Sequence, residues 1–296
     1  MGALADEIEA ALPGLPVAEQ KIVRHLLQHR QQAVLGSAAQ IAEAAGTSDA
    51  TVVRTARSLG YDGLGDLRAA LLDDLISAPR PAERLTRTLN AASATRGGVL
   101  AHVLAVHHDA LAAFGDPGLS TSFDAAATTL AEAPQRHVFG VGPSGMLADY
   151  ATLQFNRIGL RTTSLNATGI ALADRLLMLD RADAVMIIAY APLYREVKVT
   201  LERANTVGAH VILVSDSLGP LLKEPVDAIL SVPRGRAGHL ATHGATMVLL
   251  DAMVAALAAR RGTAAIESLS DFAELRGRLD RSWSRRGARK QVRGEA

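Results

Sequence analysis

Residues 38–59 read AAQIAEAAGTSDATVVRTARSL, two short apolar-patterned segments joined by Gly46 and Thr47. The spacing predicts one helix over about Ala38–Ala45 and a second over about Asp49–Leu59, with Ser48 placed as its N-cap. Val52, Val53, Ala56 and Leu59 recur at helical spacing and would anchor the second helix. Ser48, Asp49, Thr51, Arg54 and Arg57 are left on the outward side, Thr51 and Arg54 as i,i+3 neighbours. Two short helices with a tight turn, the second presenting polar side chains, is the arrangement a helix-turn-helix uses to read base edges. Arg54 or Arg57 would pair with guanine or hold a phosphate. The same spacing also fits an ordinary helical bundle with a solvated face, and residues 1–76 carry more acidic than basic side chains.

Working outward, residues 17–76 look helical throughout. Ile22, Val23, Leu26 and Leu27 precede the quoted stretch, and Leu67, Leu71, Leu72 and Leu75 follow it. Gly36-Ser37 opens one helix and Gly60 ends another. Residues 77–96 change in composition: Pro79, Pro81, Ser93, Thr95 and scattered arginines suggest a linker, in part helical. Helical patterning returns over 97–133, broken at Asp116-Pro117-Gly118. Short apolar runs then alternate with helical stretches: His137–Gly142, Arg161–Leu165, Ala184–Ala189, Val211–Val214 and Ala228–Val232 as strands. Such alternation predicts a five-stranded parallel sheet covered by helices on both faces. A long helix from about Ala241 to Arg261 would close the unit. The expected organisation is an N-terminal all-α domain (1–76), a linker (77–96), a C-terminal α/β domain (97–262) and a basic tail (263–296).

Bulk properties bound the function. At 296 residues the chain has room for two domains, and its 49% hydrophobic content supports real cores. Aromatics are only 3%, so those cores are built from small aliphatic side chains. A net charge of +1 confines any nucleic-acid contact to a local patch. The absence of cysteine removes disulfides, thiolate catalysis and cysteine-ligated zinc. No apolar stretch approaches the roughly 20 residues of a membrane span, and Met1–Pro16 lacks the pattern of a signal peptide. These readings predict a cytoplasmic protein with no membrane partner.

The segments Val17–Val23, Ala39–Arg54 and Leu59–Leu64 closely resemble the N-terminal domain of RpiR/MurR-type transcriptional regulators. One departure is Thr55-Ala56, where that family often has an aromatic. Residues from about 123 to 261 resemble the sugar isomerase (SIS) domain that completes such regulators, on Val138–Ser144, Arg157–Leu160, Gly208–Ser217 and Leu249–Ala252. The resemblance implies double-stranded operator DNA as one partner. It implies a sugar phosphate or related carbohydrate derivative as effector, and self-association as a homodimer or homotetramer.

Gly140-Val141-Gly142-Pro143-Ser144-Gly145 follows a strand and opens a helix, a geometry that favours an anion. It is not the dinucleotide spacing, and no acidic residue follows the next strand. Where phosphosugar-binding SIS domains carry a Ser-x-Ser-Gly-x-Thr loop, this chain has Ala189-Tyr190-Ala191-Pro192-Leu193-Tyr194. A phosphate needs several donors to offset its desolvation. The loop retains only the phenols of Tyr190 and Tyr194, with Arg195 available to compensate. The expected effector set is Gly142, Ser144, Tyr190, Tyr194, Arg195 and His243. An alternative is a phosphosugar isomerase with a helical appendage. Some SIS isomerases place a glutamate three residues before a His-Gly pair, but here Leu240 precedes His243-Gly244. We therefore expect no catalytic residues and no cofactor. His239 and His243 at i,i+4 lack the context of a metal motif, and no metal is expected. His102, His107 and His108 are expected on the surface, and the arginines from Arg281 onward in a solvated tail.

Overall fold

A computed structural model describes Ile8 and residues 11–28, 37–76, 81–216, 218–219, 222, 224–236 and 238–279. The N-terminal region folds as α1 (Val17–Gln28), α2 (Ala38–Ala45), α3 (Asp49–Ser58) and α4 (Leu64–Ile76). Ser37 and Gln40 form a reciprocal capping box at the start of α2, with Gln40 N donating to Ser37 Oγ at 3.2 Å and Ser37 N to Gln40 Oε1 at 2.7 Å. Gly46 closes α2 in the left-handed region at φ 63°, where a side chain is disfavoured and glycine is not. Ile8, Ile22, Val23, Leu26, Ile41, Ala42, Val52, Ala56, Leu67 and Leu71 form one apolar core.

The residues that read as a linker contain a full helix, α5 (Pro81–Ala94), followed by α6 (Gly98–Ala112) and α7 (Pro117–Glu132). The α/β unit follows: β1 (Arg136–Phe139), α8 (Pro143–Arg157), β2 (Thr162–Ser164), α9 (Gly169–Leu176), β3 (Ala184–Ile188), α10 (Arg195–Val207), β4 (His210–Ser215), β5 (Ala228–Ser231), α11 (Gly244–Arg261) and α12 (Thr263–Leu279). The five strands are all parallel, in the order β2-β1-β3-β4-β5. Alternate residues of the strands feed two cores. Val138, Met186, Ile188, Ile212, Val214 and Leu230 pack with α7, α8 and α11 on one face. Phe139, Val185, Ile187, Val211 and Leu213 pack with α9 and α10 on the other.

Several expectations need correction. Residues 263–279, read as tail, form α12, which contacts α8 and α11. The arginines from Arg281 onward lie outside the described residues. Helix α9 was not expected at all. His102 is buried rather than exposed, its Nδ1 3.3 Å from Thr95 Oγ1, and His107 is half-buried; His108 is exposed as expected. The stretch Gly98–Gly115 is, by length and composition, long and apolar enough to cross a membrane, with a mean hydropathy of 1.2 over 18 residues. Only 17% of it is buried within the chain.

Candidate DNA-reading helix and effector cavity

Helix α3 buries Thr51, Val52, Thr55 and Ala56 against the N-terminal core. Ser48, Asp49, Arg54 and Arg57 are exposed, so four of the five expected DNA-facing side chains share the solvent side. Thr51 does not: it is buried, and its hydroxyl lies 2.9 Å from Ser48 Oγ and accepts from Arg54 Nη2 at 3.4 Å. Periodicity placed it outward because a short hydroxyl beside a polar run reads as surface. Ser48 has the extended backbone of an N-cap but makes no side-chain cap bond, its hydroxyl being turned to Thr51. Thr55, at the point of departure from the family pattern, donates to Thr51 O at 2.8 Å and so is satisfied within the core.

A cavity of about 600 Å³ opens where the chain leaves β1 and β3, the point at which the strand order reverses. Open parallel sheets bind ligands at such a place. The β1 side supplies Val141 to Ser144, and the β3 side Ile188 to Pro192. Gly140 allows the turn between β1 and α8: a Cβ there would clash with the Ser144 carbonyl oxygen. Gly142 has φ 59° and Ser144 is buried in the first turn of α8.

Gly142, Ser144, Tyr190, Tyr194 and His243 all line the cavity. Arg195 does not: it is exposed at the start of α10 and absent from the lining. The guanidiniums that do line it are Arg84, from α5, and Arg234, after β5. Neither was singled out in the sequence. Arg84 sits in a stretch that reads as linker, and nothing local to either residue signals a contact across some 150 positions of chain. Glu196 and Thr168 also contribute.

Tyr190 has a different part from the one expected of it. Its phenol oxygen is 2.6 Å from Thr246 Oγ1 in α11, so the hydroxyl is engaged away from the lining, and burial pushes its pKa upward. The ring instead forms a platform. The Arg234 guanidinium lies 4.0 Å from the ring centroid, and His243 meets the ring edge-on at 5.7 Å. Arg234 Nε is 3.4 Å from Asp216 Oδ2, and its Nη2 donates to Ala191 O at 3.4 Å. Burial, with Arg234 adding and Asp216 opposing, lowers the pKa of His243 below the ordinary histidine value, which keeps the ring neutral at pH 7.

Residues 2–78 match the helix-turn-helix domain of the rpiR family, and residues 129–259 match the SIS domain. The chain belongs to the rpiR family of helix-turn-helix transcriptional regulators that carry a C-terminal SIS domain. Among its relatives is the HTH-type transcriptional regulator HexR of Pseudomonas aeruginosa, 28% identical over 222 residues, which are 74% of this chain and 75% of HexR. The HTH-type transcriptional regulator RpiR of Escherichia coli K12 is 24% identical over 259 residues, 83% of this chain and 81% of RpiR. The same architecture is found in the NanR protein of Vibrio vulnificus, solved in complex with ManNAc-6P. The match has a TM-score of 0.50 at 19% identity and covers 94% of this chain and 99% of NanR.

Proposed function

We propose that this regulator binds a small carbohydrate derivative in the cavity between β1 and β3, and that occupancy changes its affinity for double-stranded operator DNA. One observation carries the reading: the cavity combines an anion-favouring glycine turn with guanidiniums, where the hydroxyl loop of phosphosugar binders is missing. Ser144, Thr168, Tyr194, Glu196 and His243 add further polar groups, and Val141, Ile188, Ala189 and Leu240 the apolar walls. The SIS domain is non-catalytic on this reading. Moving a proton between adjacent sugar carbons needs a positioned base, and Leu240 occupies the position of the isomerase glutamate.

The exposed apolar side chains of α6, Val99, Leu100 and Leu104, support self-association through the C-terminal half rather than membrane insertion. On this reading the protein works as a homo-oligomer, in the cytoplasm where operator DNA is found.

The test is a thermal-shift screen of carbohydrate derivatives on the full chain, since a true effector stabilises the folded state by mass action. Each hit is then assayed for its effect on a mobility shift with the chain's own upstream DNA and for isomerisation. A hit that changes DNA binding without turnover is expected. Turnover of a bound sugar phosphate would return the isomerase alternative.

A further inference from the structure

The cavity has a wall that belongs to neither end of the sheet. Helix α5 begins five positions of chain after the end of α4, the last helix of the N-terminal domain, and it brings Pro81 and Arg84 into the lining. One turn further on, Thr88 Oγ1 accepts a hydrogen bond from Leu240 N at 2.8 Å, and Leu240 is itself a lining residue. The segment entering from the DNA-binding half is therefore seated on the rim of the cavity.

Arg84 is not otherwise employed there. Its Nε is buried without a hydrogen-bond partner. Burial lowers its pKa, and the nearby positive charge of Arg234 lowers it further, opposed by Asp216 and Tyr194. Two guanidiniums facing one cavity repel each other until an anion sits between them, and each offers paired N–H donors shaped for an oxyanion. Asp216 offsets part of this charge from beside Arg234, and Glu196 is the carboxylate in the lining. Arg234 is braced by Asp216, Ala191 O and the Tyr190 ring, whereas Arg84 is carried on α5 with its Nε unpartnered.

We propose that Arg84 and Arg234 together clamp the oxyanion group of the effector, a carboxylate or a phosphate on a sugar-sized molecule, and that Arg84 is the contact through which occupancy alters the DNA-reading domain. The fixed guanidinium provides affinity. The one on α5 ties ligand binding to the position of the helix that leads into α4. This rests on the effector reading of the cavity, and it adds which chemical group is read and by which element.

The experiment uses the full chain, with D-glucose, D-gluconate, D-glucose 6-phosphate and inorganic phosphate as probes. Calorimetry gives affinity, and operator anisotropy is measured with and without saturating probe. At least one of the three anions binds, and glucose does not. Arg84→Gln and Arg234→Gln each weaken that anion about ten- to a hundredfold, the loss expected for a charged hydrogen-bonding partner. When saturated, Arg234→Gln still changes its operator affinity relative to its own unliganded state, and Arg84→Gln does not. Gluconate and glucose 6-phosphate separate the carboxylate from the phosphate source. Binding by Arg84→Gln within twofold of the unmodified chain, or an intact response when it is saturated, overturns the proposal and leaves the cavity reading standing. Binding of glucose alone likewise overturns the clamp but keeps a carbohydrate effector. No binding of any probe to the unmodified chain removes the clamp, while a hit elsewhere in the carbohydrate screen would still support the cavity.

Discussion

At the residue scale, Arg54 and Arg57 are exposed on α3 while Thr51 is buried inside the domain. Arg54→Ala should weaken specific operator binding by about 1–3 kcal/mol if the guanidinium makes a bidentate base contact. Its exposure predicts little change in Tm. Operator affinity equal to that of the unmodified chain would show that α3 is not the reading helix. His243 makes a second prediction. Its folded pKa is lowered, first by burial, so as pH falls below the ordinary value of about 6.5 the unfolded chain takes up a proton before the folded one does. The stability present above that pH is lost on acidification toward the folded pKa. His137, held 3.2 Å from Asp183 and also lowered by burial, adds to the same trend. Tm should drop between pH 7.5 and pH 5.5, about a unit to either side of that pKa, and the slope should be shallower in His243→Gln. An identical slope in that variant would mean that His243 titrates alike in both states.

At the element scale, legibility followed the range of the interactions. The two short helices and the turn at Gly46 could be read because caps and glycine conformations are local. The strands could be read because β3 is buried along its whole length and is therefore apolar throughout. Helix α5 was not fully legible, since its leucines Leu85 and Leu89 are exposed and its prolines and arginines resemble a connector. Helix α12 buries only Ala265, which left too weak an apolar stripe to set it apart from a tail. In the site, the glycine turn and His243 were legible from the motif, while Arg84 and Arg234 depended on tertiary contacts alone. The β1–α8 turn offers a direct test. Gly140→Ala would force a methyl group against the Ser144 carbonyl, and overpacking of this kind typically costs about 1–3 kcal/mol. Denaturant titration should register that loss with no loss of strand content. An unchanged midpoint would show that the turn can shift at little cost.

At the scale of the whole molecule, the exposed apolar face of α6 is the feature that calls for an occupant. Leu100 is 70% exposed and Leu104 is 60% exposed. On the proposal that a second copy covers them, the Leu100→Glu/Leu104→Glu double variant should sediment as a smaller species than the unmodified chain at micromolar concentration. It should also bind the operator more weakly, because paired helix-turn-helix units share one site. An unchanged sedimentation coefficient would move the interface elsewhere.

The three apolar cores carry a last consequence. The core of the N-terminal domain is drawn from residues 8–71, and neither core of the α/β unit uses any of them. The two sheet-bound cores share strands β1, β3 and β4 and should melt as one cooperative block, whereas the helical domain can melt by itself. Calorimetry should resolve two endotherms, with Leu67→Ala moving only one. A substitution that erodes one block leaves the other's stability reserve untouched, so a new operator preference and a new effector can be acquired independently. Recombination between such chains would then join cleanly within residues 77–80, ahead of α5, leaving each hydrophobic nucleus with its own sequence.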